Sequence, residues 1–165
     1  MKLLALGLCF CAGIAQADCW DQAGAMYNIS PKLLYAIAEQ ESSLDPSAVG
    51  KNKDGSQDLG LMQINSSHLP KLQKLGISAS QLLHDPCLSV MVGASILSGM
   101  MKRYGYSWEA VGAYNAGTSP NRHALRMRYA KHIWRRYKKM ATPHPRADQE
   151  CQIQCANAGL STGRK

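Results

Sequence analysis

The sequence predicts a mainly α domain with at most a small β hairpin. Three observations point there. Proline directly follows a capping residue at Ser30-Pro31 and at Asp85-Pro86, which marks two helix starts. Apolar residues after each start recur at helical spacing. Residues 46–58 are polar, punctuated by Gly50 and Asp54-Gly55, and they read as a loop or a small hairpin turning at Asp54-Gly55.

The chain opens with Lys2, an apolar run LLALGLCFCAGIA, and Ala15-Gln16-Ala17. Basic start, short apolar stretch and small-residue site together read as a secretory signal at residues 1–17. The run is shorter than the roughly 20 residues a membrane span needs, and no other segment could cross a membrane. The expected organisation is a signal at 1–17, one domain at 18–140 and a polar tail at 141–165. A chain of 165 residues supports one compact domain.

The first helix is expected over 18–27, with Trp20 and Met26 as core candidates. The second starts at Ser30-Pro31 and shows Leu33, Leu34, Ile37 and Ala38 on its apolar face. It stops at Ser43-Leu44-Asp45-Pro46, because the residue before a proline disfavours helix. Short helices are expected around 68–75 and 79–83. Asp85-Pro86 opens a long helix to about Tyr104, with Leu88, Val92, Ile96, Met100 and Tyr104 spaced for one face. Ser107 caps a short helix through Ala113. A last helix runs over about 122–139, with Leu125, Tyr129, Ile133 and Tyr137 as its stripe and eight Lys/Arg on a solvated remainder.

Loss of residues 1–17 would remove Cys9 and Cys11 and leave Cys19, Cys87, Cys151 and Cys155. An even set in an oxidising compartment favours disulfides, and four cysteines allow three pairings. The expected bridges are Cys19–Cys87 and Cys151–Cys155. No histidine pattern supports a metal site at these cysteines. The full chain carries a formal charge of +8. Such a charge favours anionic partners, and export tilts the choice from nucleic acid to envelope polymers.

Glu41 lies four residues past Ile37 and seven past Leu34, on the apolar face of its helix. Burial disfavours the charged carboxylate and raises its pKa, as a general acid near neutral pH requires. Asp58, seventeen residues on, sits in a polar turn. One acid on an apolar face and one in a polar setting suit glycosidic cleavage, in which one carboxyl is protonated and the other ionised. Lysozyme is the worked example behind that rule.

Four motifs then fall in order: QES at 40–42, GLMQIN at 60–65, AYNAG at 113–117 and Tyr129. In this order they resemble the lytic transglycosylase family, which cleaves the glycan strand of peptidoglycan. Cys19-Trp20 with Asp-Pro-Cys at 85–87 resembles the small exported subgroup attached to secretion, conjugation or pilus systems. The resemblance implies a lysozyme-like fold, a periplasmic location, no metal or organic cofactor, and peptidoglycan strands and an envelope machine as partners. It implies that Glu41 is the acid/base, that Ser42 orients the substrate's N-acetyl group, and that Gln63 binds sugar or positions Glu41. Tyr114, Asn115 and Gly117 would form the facing wall, and Tyr129 would hydrogen-bond Glu41. Met62 is a candidate for cleft lining and equally for packing.

One departure stands out. Residues 54–66 (DGSQDLGLMQINS) also resemble animal c-type lysozymes, where an acid in the Asp58 position is nucleophile or stabiliser. Both an anhydro and a hydrolysed product therefore stay open. So does a non-catalytic, wall-binding scaffold.

Overall fold

The computed structural model describes residues 14–141. Most of the expected signal and the whole tail from 142, with Cys151 and Cys155, lie outside the described residues.

Helix α1 (Ile14–Tyr27) runs into a turn at Asn28 and Ile29, and α2 (Pro31–Ser42) follows. Ser30 is the N-cap with Pro31 at the first helical position. Its hydroxyl makes no capping bond, and its carbonyl accepts the first intrahelical bonds, from the Leu33 and Leu34 amides. Leu33, Leu34, Ala36, Ile37 and Ala38 are buried. Met26 is 65% exposed, so it is no core residue, although it follows Cys19 and Ala23 at helical spacing. Trp20 does pack, edge-on to Tyr35 with ring centroids 5.5 Å apart.

Two successive non-glycine residues in the left-handed region, Ser43 (φ 54°) and Leu44 (φ 67°), stop α2 directly after Ser42. Each conformation costs free energy and persists only where its surroundings impose it. The chain then enters a three-stranded antiparallel sheet ordered β1 (Val49–Lys51), β2 (Gln57–Leu59), β3 (Ile64–Asn65). Asp54 and Gly55 do form the tip of the first hairpin, which closes through Asn52 N–H to Ser56 C=O at 2.9 Å. The third strand goes beyond the expected hairpin. It exists because residues 60–63 reverse the chain, with Gly60 at φ 71° and Gln63 at φ 48°. Register then sets Asp58 opposite both Gly50 and Asn65.

A 3-10 turn (Ser66–His68), α3 (Leu69–Gln73) and α4 (Ala79–His84) lead to α5 (Pro86–Tyr104). The Asp85 side chain caps α5 by accepting from the Leu88 amide. Disulfide Cys19–Cys87, with Cα atoms 5.4 Å apart, ties α1 to its start. The core face of α5 is Val90, Gly93, Ala94 and Leu97; of the expected stripe only Val92 is buried. Steps of four residues turn about 400°, so five such positions drift about 160° round the helix and cannot share one face.

Helix α6 (Trp108–Ala116), capped by Ser107, packs on the last helix, α7 (His123–Ala141). Their axes meet at Gly112, where an added Cβ would lie 2.2 Å from the Arg126 carbonyl oxygen. On α7 the buried residues are Arg126, Tyr129, Ala130 and Ile133, while Leu125 is 41% exposed. Arg126 breaks the expected solvated basic face. It donates to Glu109 and to the Gly117 and Ser119 carbonyls, which fixes the chain between α6 and α7.

Candidate active site

The α-helices and the sheet enclose a cleft of about 680 Å³, lined by Glu41, Asp58, Gln63, Tyr114, Asn115 and Gly117 among others. Glu41 arrives on the last turn of α2. Its Oε1 accepts a hydrogen bond from the Tyr129 hydroxyl on α7. Burial raises its pKa above the ordinary carboxyl value. The Tyr129 hydrogen bond pulls it partly back, and the nearby charge of Asp58 pushes it up again.

Asp58 comes from β2 and is held differently. Its Oδ2 accepts from Asn52 Nδ2 and its Oδ1 from Asn65 Nδ2, each at 2.9 Å. No cation pairs with it among the described residues. Gly50, directly opposite in the ladder, leaves room there: a Cβ at that position would lie 2.9 Å from Gln63 Oε1 and 3.3 Å from Asp58 Cβ. The two acids thus differ in setting, one desolvated against an aromatic and one carried by neutral amides.

The floor is residues 60–63. The Met62 amide donates to the Ser89 hydroxyl on α5 at 3.1 Å, and the Met62 carbonyl accepts from the Tyr114 hydroxyl on α6 at 2.8 Å. Gln63 Nε2 donates to the Ala48 and Gly60 carbonyls, which locks a side chain that faces the cleft from a left-handed backbone. Burial raises the Tyr114 hydroxyl's pKa well above its ordinary value, and the charges of Glu41 and Asp58 add to that, so it stays a donor.

Two expected cleft residues sit elsewhere. Met62 is fully buried and packs on Gly93, where an added Cβ would lie 2.7 Å from the Met62 methyl. Its side chain belongs to the core, and only its backbone serves the site. Ser42 does not line the cleft; its hydroxyl donates to the Leu61 carbonyl at 2.8 Å and to Ala38 at 3.2 Å, tying α2 to the floor. Tyr129 reaches Glu41 from behind, as part of a separate recess. Sequence reasoning missed Asn52, Asn65 and Arg122, all of which line the cleft. Once β2 and β3 are paired, their register supplies the signal for Asn65, which is Asp58's ladder partner. Among the described residues, no group of His, Cys, Asp and Glu is placed to hold a metal ion, and no helix is long and apolar enough to cross a membrane.

The family model for the transglycosylase SLT domain matches residues 18–137. The chain belongs to this family. Its reaction class is that of a lytic transglycosylase, and peptidoglycan is the substrate that suits the domain. Over 126 residues it is 68% identical to "Invasion protein IagB" of Salmonella typhimurium (strain SL1344), spanning 76% of this chain and 79% of that protein. It is 52% identical to "Protein IpgF" of Shigella flexneri over 134 residues, 81% of this chain and 88% of that one. Among solved structures it resembles lytic transglycosylase Slt of Pseudomonas aeruginosa, crystallised as an inactive Glu-to-Gln mutant. That likeness has a TM-score of 0.61 at 21% identity and covers 81% of this SLT chain, which spans 25% of the larger enzyme. It carries the lysozyme-like fold alone.

Proposed function

We propose that this SLT domain cleaves the β-1,4 bond between N-acetylmuramic acid and N-acetylglucosamine and leaves a 1,6-anhydro end, with Glu41 as the single acid/base. The observation behind this reading is Glu41 itself, a carboxyl with a raised pKa inside the cleft and held by Tyr129. Protonated Glu41 gives its proton to the glycosidic oxygen as the C1–O bond breaks. The carboxylate formed then takes the proton of the muramic acid C6 hydroxyl, whose oxygen closes on C1. Glu41 ends protonated, and no water is consumed. The Tyr129 hydrogen bond supports the carboxylate that exists between the two steps.

A second reading is hydrolysis, favoured by Asp58 in the same cleft with both oxygens oriented by amides. In it Asp58 faces the cationic transition state and water completes the reaction. Mass spectrometry of digested peptidoglycan separates the two. Anhydro ends are expected; mainly reducing ends would overturn the first reading. Glu41→Gln is expected to lower kcat at least about 10²-fold with fold retained. A variant as active as the wild type would overturn both.

The setting we infer is an exported, periplasmic enzyme that opens the wall locally for an envelope-spanning secretion, conjugation or pilus system. The signal-like residues 1–17, the Cys19–Cys87 bridge and the likeness to a Salmonella invasion protein support that setting. Fractionation of cells carrying the full chain tests it: recovery in the cytoplasm would overturn it.

A further inference from the structure

Beside the cleft lies a second recess of about 310 Å³. Asn115 and Arg122 line both spaces, so the two share a rim. The recess adds Leu125, Arg128 and His132 from α7, with Tyr129 among its walls. No acidic residue lines it. Arg122 is fixed on the rim by a hydrogen bond from Nη1 to the Ala116 carbonyl at 3.1 Å. Arg128 is exposed and makes no ion pair among the described residues. Two permanent cations and an imidazole thus stand next to the reacting cleft, without the carboxylates that neutralise Arg126 and Arg136 elsewhere on the same helix.

We propose that this recess binds the carboxylates of the peptide carried by the muramic acid residue of a strand lying in the cleft. The inference rests on the peptidoglycan reading above. A neutral amino-sugar strand has no use for unpaired cations. The peptide attached to its lactyl groups carries several free carboxylates and leaves the strand sideways. A rim shared with the cleft is where such a branch would emerge. Arg128 and Arg122 meet the carboxylates, and half-exposed Leu125 meets the peptide's methyl groups. The recess therefore selects strands that still bear peptide over stripped ones.

Rates on soluble strands with intact peptides, and on the same strands stripped by an amidase, which leaves a single lactyl carboxylate per muramic acid in place of the peptide's several, test this. The wild type is expected to prefer peptide-bearing strands by about fivefold in kcat/KM, the worth of one or two exposed charge pairs. Added salt is expected to shrink that preference. Arg128→Gln is expected to bring the ratio toward one, and Arg128→Glu to bring it below one. Lys138→Gln, near the other end of α7, is the charge control and is expected to keep the wild-type ratio. Cleavage of both strands at a ratio the Arg128 variants do not move would overturn the recess assignment alone. Equal losses on both strands would do the same. Failure of the wild type to cleave either strand would overturn the peptidoglycan reading and take this inference with it.

Discussion

The Tyr129 hydroxyl donates to Glu41 Oε1, so the last helix moderates the protonation of a carboxyl on the second. That hydrogen bond favours the ionised form and opposes the rise due to burial. In Tyr129→Phe the Glu41 pKa therefore goes up. A general acid works while protonated, so its rate falls as pH passes its pKa. The alkaline limb of the kcat/KM profile is expected to move to higher pH in this variant. A move to lower pH would contradict the assignment of Glu41 as the acid.

Asp58 acts on the same carboxyl with the opposite sign, since its charge raises the Glu41 pKa. Asp58→Asn is expected to shift the alkaline limb to lower pH. It is also expected to lower kcat, but less than Glu41→Gln does, because the substrate's N-acetyl group can take over stabilisation of the intermediate. Equal losses from the two variants would favour the hydrolytic reading.

A raised carboxyl pKa also costs stability. Folded Glu41 holds its proton to higher pH than the unfolded chain, so stability falls as pH rises from the ordinary carboxyl value of 4.5 through the folded pKa. Glu41→Gln removes that loss. Its melting temperature at neutral pH is expected to exceed that of the wild type, and the gap is expected to close in acid. A lower melting temperature at neutral pH would count against a desolvated Glu41.

Two helix glycines give opposite expectations. A methyl at Gly112 would sit 2.2 Å from backbone of α7, so the helices must part. Gly112→Ala is expected to cost about 1–3 kcal/mol or more in urea unfolding, and to lower kcat by displacing Tyr129. Gly99, in the middle of α5, has nothing within 4 Å of the added atom. Gly99→Ala is expected to stabilise by about 0.5–1 kcal/mol through helix propensity alone.

The bridge between Cys19 and Cys87 closes 68 residues of chain. Loop-closure entropy assigns such a loop about 4 kcal/mol. The double variant Cys19→Ser, Cys87→Ser is expected to unfold at lower urea by that order, and reductant is expected to do the same to the wild type. An unmoved midpoint under reductant would show that the bridge contributes nothing.

Helix starts were legible because caps and prolines act locally: Ser30-Pro31, Asp85-Pro86 and Ser107 all begin helices where expected. Glu41 was legible as a residue on a buried face because Leu34 and Ile37 fix the phase of one short helix. What the sequence hid lies in tertiary direction. Met62 occupies a motif position, yet a reversal with left-handed Gln63 turns its side chain into the core. Arg126 looks like its basic neighbours and is buried only because Gly112 lets α6 approach that side of α7. Asn52 and Asn65 become visible as Asp58's holders only after the register of three very short strands is known.

The pairing of Glu41 with Tyr129 spans 88 residues of sequence. A chain delivered N-terminus first presents Glu41 early, on a helix with no α6 or α7 to pack against. Its carboxyl then lacks both the aromatic partner and the burial that tune it. The cutting edge comes into being only when nearly the whole domain has emerged. Premature termination between α5 and α7 yields a fragment that retains Glu41 but not its tuned setting.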